Sequence, residues 1–264
     1  MDDTSIDLSS KFFGDLNILL TGVPGVTDRG WLGYCTVVLF PLEDGWALFD
    51  TGHYGDRHLL LSAIKRINLS PDSIRHVILS HLHYDHSLNV SLFTKAIVYV
   101  SRAELNYAQK ISAGEASDLF IPDFWSALLE NHRVFEVDKD LQLSQTKQLR
   151  VLPGHTPGCM AMFCKVAHNI IAVCGDVIKN AWEAVSGKSG MALAGEAIAG
   201  SSIQTILQEA SVIIPGHDNP FVINNNGVTF ITPFHWKVLA SLYPGEQGQT
   251  VTSLYRPSGK NFRP

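Results

Sequence analysis

Residues 80–86 read SHLHYDH and directly follow the apolar run His76–Ser80, HVILS. Four side chains that bind metal ions, His81, His83, Asp85 and His86, therefore fall within six residues at the end of a short buried strand. Side chains alternate faces along a strand, so His81 and His83 share one, and a tight turn can bring Asp85 and His86 back to a second position nearby. At this chain's own residue frequencies HxHxDH arises by chance in about one such chain in a thousand, so the cluster calls for a purpose. Imidazole nitrogen together with carboxylate oxygen suits zinc, and also iron or manganese. The fold must then carry a buried strand to an edge where a metal site can be assembled.

Three more residues repeat the arrangement of a ligand-type side chain after an apolar strand. His155 sits in PGHTPG after QLRVL, Asp176 in CGD after NIIAV, and His217 in PGHD after SVII. Each has glycine beside it, which lets backbone approach closely. Singly, each reads as a turn residue; together they supply three further ligands for one centre.

The elements between these motifs suggest a layered α/β chain. Strands are expected at Leu16–Leu20, Tyr34–Phe40, Trp46–Asp50, Ile97–Val100, Val134–Val137, Leu141–Leu143, Leu149–Leu152, Cys159–Cys164, Ile170–Cys174 and Val212–Ile214. Leu60, Ile64 and Ile67 predict a helix over Arg57–Asn68. Ser101 predicts the N-cap of a helix through about Lys110, with Glu104 at the capping-box position. Ile121, Phe124, Trp125, Leu128 and Leu129 form an apolar helical stripe, and Ile203, Ile206, Leu207 and Ala210 another. Gly22–Gly33 and the Gly/Ala/Ser-rich stretch Ser186–Ser202 read as loops. No linker divides the chain, so residues 1–264 are expected to form one domain, with a core over about 16–217 and a C-terminal extension over 218–264.

Hydrophobic residues make up 45% and charged residues 17% of the 264. The charged share is below the about 25% usual for globular domains, so a large core is available and general disorder is excluded. No apolar run approaches the roughly 20 residues that span a bilayer. The start, MDDTSIDLSS, is acidic and polar, unlike a secretory signal. Cys35, Cys159, Cys164 and Cys174 are too few for a disulfide scaffold and form no CxxC pair, so reduced thiols and a cytoplasmic location are expected. The net charge of −5 disfavours nucleic acid as a partner and leaves only a local basic groove as a route to it. A small-molecule substrate is expected, and a homodimer stays open.

The order LFDTG, SHLHYDH, PGHTPG, CGD, PGHD resembles the metallo-β-lactamase superfamily, over about Leu16 to His217. The resemblance implies an αββα four-layer sandwich with two metals at one edge between two sheets. By position it implies that His81, His83 and His155 hold the first metal and Asp85, His86 and His217 the second, with Asp176 bridging. It also implies that Asp50 orients a metal-bound histidine. True β-lactamases of the superfamily carry Cys or Ser where Asp176 falls. Asp there is similar to the glyoxalase II, lactonase and ribonuclease Z branches, and antibiotic hydrolysis is a poor first expectation. Lys179 stands where quorum-signal lactonases often place Tyr.

An apolar wall over the site is expected from Gly114–Asn131, with Phe120, Phe124 and Trp125, helped by Trp31 of the first loop. The expectation is a dinuclear hydrolase with two Zn²⁺ per chain, Fe or Mn being alternatives. A metal-bridging hydroxide would attack an ester, lactone or thioester, and Asp85 would carry the proton to the leaving group. A phosphodiesterase or ribonuclease is the runner-up. A mononuclear iron persulfide dioxygenase comes next, sharing HxHxDH and the PGHTPGC of Pro153–Cys159, and a β-lactamase last.

Overall fold

A computed structural model describes residues 13–224, 227–240, 249–259 and 261–262. The acidic start of the chain lies outside the described residues. A six-stranded sheet has the order β1-β4-β5-β6-β7-β8, formed by Asn17–Leu20, Val37–Leu42, Gly45–Phe49, Ile74–Ile78, Ile97–Ser101 and Arg133–Val137. An eight-stranded sheet has the order β18-β15-β14-β13-β12-β11-β10-β9. Its strands are Leu141–Gln142 (β9), Lys147–Val151 (β10), Met160–Val166 (β11), Asn169–Val173 (β12), Val212–Ile214 (β13), Phe221–Asn224 (β14), Gly227–Phe230 (β15) and Asn261–Phe262 (β18). The helices are Arg57–Arg66 (α1), Tyr84–Ser87 (α2), Arg102–Ser112 (α3), Trp125–Leu129 (α4), Ala181–Ser186 (α5) and Glu196–Glu209 (α6).

The layering follows from alternation along the strands. In β4, Val38 and Phe40 face the second sheet, while Val37 and Leu39 face out. The inward set meets Met160 and Met162 of β11, Ile171 and Val173 of β12 and Ile214 of β13. The outward set packs under Leu60 and Ile64 of α1 and Ala108 of α3. On the far side Ala161, Phe163 and Ala172 pack under Ile203 and Ile206 of α6. Helix, sheet, sheet and helix form four layers, as the sequence implied.

β5, β6 and β7 run parallel, as do β12 and β13. Their carboxyl ends fall on one edge, the usual place for a site in such sheets. Asp50 follows β5, residues 81–86 follow β6, Asp176 follows β12 and His217 follows β13.

Several expectations are corrected. Gly22–Gly33 contains a small hairpin, Val26–Thr27 (β2) with Gly30–Trp31 (β3). The second half of the expected loop 186–202 is the start of α6, where Glu196, Ala197 and Ala199 are competent helix formers. The stripe from Ile121 yields a helix only from Trp125, because Pro122 and Asp123 lie in a turn. Ser101 caps α3 through a bond from Glu104 N (3.0 Å), but the Glu104 carboxylate does not close a capping box. It is fully buried and accepts from Leu82 N (2.9 Å), Thr156 Oγ1 (2.7 Å) and Gly158 N (3.1 Å), tying the His81–His86 and His155 loops together. Within the expected extension 218–264, the described strands β14, β15 and β18 continue the second sheet. Phe234–Ala240 (β16) and Gln249–Arg256 (β17) form a separate hairpin.

Candidate metal centre

The seven residues singled out in the sequence converge at this edge. His81, His83 and His155 present ligand atoms within 4.8 Å of one another, and so do Asp85, His86 and His217. Asp176 lies between the groups. Its Oδ2 is 3.3 Å from His155 Nε2, and its Oδ1 is 3.3 Å from His86 Nε2 and 3.2 Å from His217 Nε2. Asp85 Oδ2 is 3.4 Å from His217 Nε2. Close packing of backbone makes this possible: a Cβ on Gly216 would collide with Asp176 Oδ1 and with the Gly175 carbonyl.

Every one of the five histidines has its rear nitrogen beside an oxygen. His81 Nδ1 meets Ser80 Oγ at 2.9 Å, His83 Nε2 meets Asp118 Oδ2 at 2.9 Å, and His86 Nδ1 meets Asp50 Oδ2 at 2.8 Å. His155 Nδ1 lies 3.2 Å from the Met191 carbonyl and His217 Nδ1 lies 3.0 Å from that of Tyr34. A histidine that donates from its rear nitrogen keeps a lone pair on the other, which is what a metal needs. Those front nitrogens confront one another, His83 Nδ1 with His155 Nε2 at 3.0 Å and His86 Nε2 with His217 Nε2 at 3.3 Å. His81 Nε2 and Asp176 Oδ1 are buried with no hydrogen-bond partner. Buried acceptors that face each other without donors are costly, and a cation between them satisfies them all. The residues present thus fit a metal site with nitrogen and oxygen ligands.

The surroundings of the two groups push their histidines in opposite directions. Burial, helped by His86 and His83, holds His81 well below the ordinary histidine range. Burial likewise holds His155 low, against the opposing pull of Asp176. For His86 burial is outweighed by Cys35, Asp50 and Asp176, and its pKa is raised. His217 is raised because Asp176 and Asp85 overcome its burial. Asp176 is itself held low by His217, His86 and His155 despite burial. Another compact grouping, Cys35 with Asp50 and His86, is a support rather than a further position. Asp50 already takes His86 Nδ1, and burial pushes the Cys35 thiol up to about 12.

Asp50 stands at the rear nitrogen of His86. Besides His86 it accepts from Ser80 N (2.7 Å) and Ser80 Oγ (2.8 Å), from a positive-φ backbone position. Asp118 went unnoticed in the sequence. It accepts from His83, from Phe120 N (2.9 Å) and from Tyr107 Oη (3.3 Å). It stands 35 residues from His83 with no motif around it, so only the fold brings it there.

A cleft of about 640 Å³, its mouth included, opens over the centre. Trp31 and Phe120 line it as expected, joined by Val23, Pro24, Tyr84, Met191, Lys179 and Asn180. Phe124 and Trp125 are not among its lining residues. Trp125 packs against the core beneath the first sheet and its Nε1 donates to Ser112 Oγ, while Phe124 is turned to solvent. His53 is not among the lining residues; its Nδ1 accepts from Gly55 N. Cys159 is fully buried and hydrogen-bonded to Thr156, with its thiol pKa raised by burial, so it packs and does not attack.

Residues 29–217 match the sequence profile described as the metallo-beta-lactamase superfamily. The chain belongs to that superfamily. An N-acyl homoserine lactonase of a Bacillus species is 31% identical over 99 residues, 38% of this chain and 36% of the relative. The chain thus spans little more than a third of the length of that lactonase. A putative metallo-beta-lactamase structure from Thermotoga maritima superimposes with a TM-score of 0.63 at 20% identity, covering 79% of this chain and 98% of that one. A B. thuringiensis AiiA variant with N-decanoyl-L-homoserine bound at its active site gives 0.56 at 22% identity, over 69% and 80%. At these identities the superpositions establish the superfamily fold, in agreement with the four layers described above.

Proposed function

We propose that this chain is a dinuclear metal-dependent hydrolase acting on a neutral ester, lactone or thioester with an apolar acyl group. In this reading His81, His83 and His155 hold one metal, Asp85, His86 and His217 the other, and Asp176 is shared. The observation that carries it is the pair of Asp176 oxygens, one facing each histidine group, beneath an apolar cleft. Zinc suits the donor set. Bound there, it would polarise the substrate oxygen and bring the pKa of water to about 7.

The chain's own groups do the rest. Trp31, Tyr84, Phe120 and Met191 give the acyl part an apolar wall and displace water from it. Lys179 Nζ is 3.1 Å from Glu183 Oε1, so the lysine in the wall has its charge already matched. It can still donate a hydrogen bond, but among the described residues the cleft lining holds no other lysine or arginine for a polyanion. That favours a neutral acyl substrate over the phosphodiester or ribonuclease reading. Asp85 lines the cleft and has an oxygen available to carry a proton to a departing alkoxide. The lactonase relatives support lactones as the first substrates to try. Four buried, unbridged cysteines support a reducing, cytoplasmic setting, and no helix among the described residues is long and apolar enough to cross a membrane.

The test is a panel on metal-loaded protein: aryl esters, lactones, thioesters, a phosphodiester and short RNA. The acyl compounds should have the higher kcat/KM. A much higher value on RNA, falling steeply with salt, would overturn the ranking. Persulfide-dependent oxygen uptake would make the protein an oxidoreductase.

A further inference from the structure

The two residues after His217 are buried and face the C-terminal part of the chain. Asp218 Oδ2 accepts from Ala181 N (3.3 Å), and Oδ1 accepts from Asn219 N (2.8 Å) and from Arg256 Nη2 (2.5 Å). Asn219 Nδ2 donates to Thr232 Oγ1 (2.8 Å) and to the carbonyls of Thr232 (3.3 Å) and Pro233 (2.8 Å). Arg256 ends β17 and pairs with Phe234 at the start of β16, so it sits at the base of the hairpin. Its guanidinium lies 3.3 Å from the ring centre of Phe230 and 5.4 Å from that of Phe234. Among the described residues the hairpin shares no ladder with either large sheet, and Arg256 links its base to the body of the domain.

We propose that Arg256 is a positioning residue that fixes the His217 loop through Asp218, so that the C-terminal hairpin sets the affinity of the second metal position. The inference rests on the two-position reading above. Asp218 is 3% exposed, and Arg256 is its ion-pair partner among the described residues. A carboxylate so buried is tolerable only with a partner. Take the guanidinium away and Asp218 keeps only the backbone donors Ala181 N and Asn219 N, and the loop loses its tie to the hairpin one residue from His217. His217 is the ligand that this half of the chain gives to the second position apart from the shared Asp176. Asp85 and His86 come from α2, with His86 held independently by Asp50. The first position has no such dependence, because His81, His83 and His155 are braced by Ser80, Asp118 and the Met191 carbonyl. Arginine is required rather than any cation, since its planar head pairs with Asp218 while stacking on Phe230.

Chelator-stripped wild type, Arg256→Ala and Arg256→Lys should be titrated with Zn²⁺ against a chromophoric chelator, with melting curves on the same samples. Wild type should show two sites. Arg256→Ala should lose about ten-fold or more in affinity at one site, as for other residues that orient ligands, and keep the other within about two-fold. Arg256→Lys should recover part of the loss. In an Asp85→Ala background, which leaves only the first position, Arg256→Ala should change nothing further. Should Arg256→Ala not fold, Arg256→Gln keeps the stem and gives the same readout. Two unchanged sites in the variant, or equal losses at both, would overturn the brace and leave the two-position reading standing. A wild type with a single site would overturn both.

Discussion

The first candidate position is built from three imidazoles, the second from two imidazoles and a carboxylate. The first has His81 and His155 held below the ordinary histidine range by burial, so its nitrogens stand ready with lone pairs. The second sits among Asp50, Asp85 and Asp176, which raise His86 and His217 against their burial. Burial thus disfavours a proton on His81 and His155, whereas the neighbouring carboxylates favour one on His86 and His217, so a metal at the second group meets the stronger competition from protons.

The largest effect is expected where the positions meet. Asp176→Asn keeps the shape but removes the charge that both share. Metal should be lost from one or both positions, and kcat/KM should fall by on the order of a hundred-fold or more. Metal content and turnover must be measured on the same preparation, because full retention of both would make Asp176 an ordinary turn residue. Asp85→Ala should act on one side only. It should empty the second position and leave one metal on His81, His83 and His155, read by elemental analysis.

Acid should separate the positions without mutation. His86 and His217 titrate above the ordinary value of 6.5, so protons compete for the second position already above that pH. His81 and His155 titrate below it, so competition at the first position begins only at lower pH. Lowering the pH from about 8 to 6 should release the second metal first, with proton uptake. Spectra of the cobalt-loaded protein would follow this stepwise, and simultaneous release would mean that the two positions do not differ as described. Asp118→Asn and Asp50→Asn form the mildest pair. Each should weaken its own position about ten-fold, the first through His83 and the second through His86. Chelator competition distinguishes them, and a crossed result would show that the histidines are oriented by other partners.

The seven ligand candidates and Asp50 were legible because each follows an apolar strand, and parallel strands deliver their ends to one edge. Asp118 and Arg256 were not. Each acts across 35 or more residues, Asp118 on His83 and Arg256 on Asp218, from positions with no local pattern. Glu104 was visible but misassigned, because a capping box and a buried strut use the same Ser-x-x-Glu spacing. Burial between two loops decided which it became. The apolar stripe around Trp125 had the same ambiguity between wall and core. Trp31 and Phe120 reached the cleft; Trp125 packs, half-buried, against the core under the first sheet.

The most direct test of the account is the metal content of zinc-loaded wild-type protein after exhaustive dialysis at about pH 8, measured by elemental analysis against protein concentration. Six ligand candidates in two groups of three around one shared carboxylate predict a plateau close to two zinc ions per chain. A firm plateau at one would contradict the paired centre, and with it the shared role of Asp176.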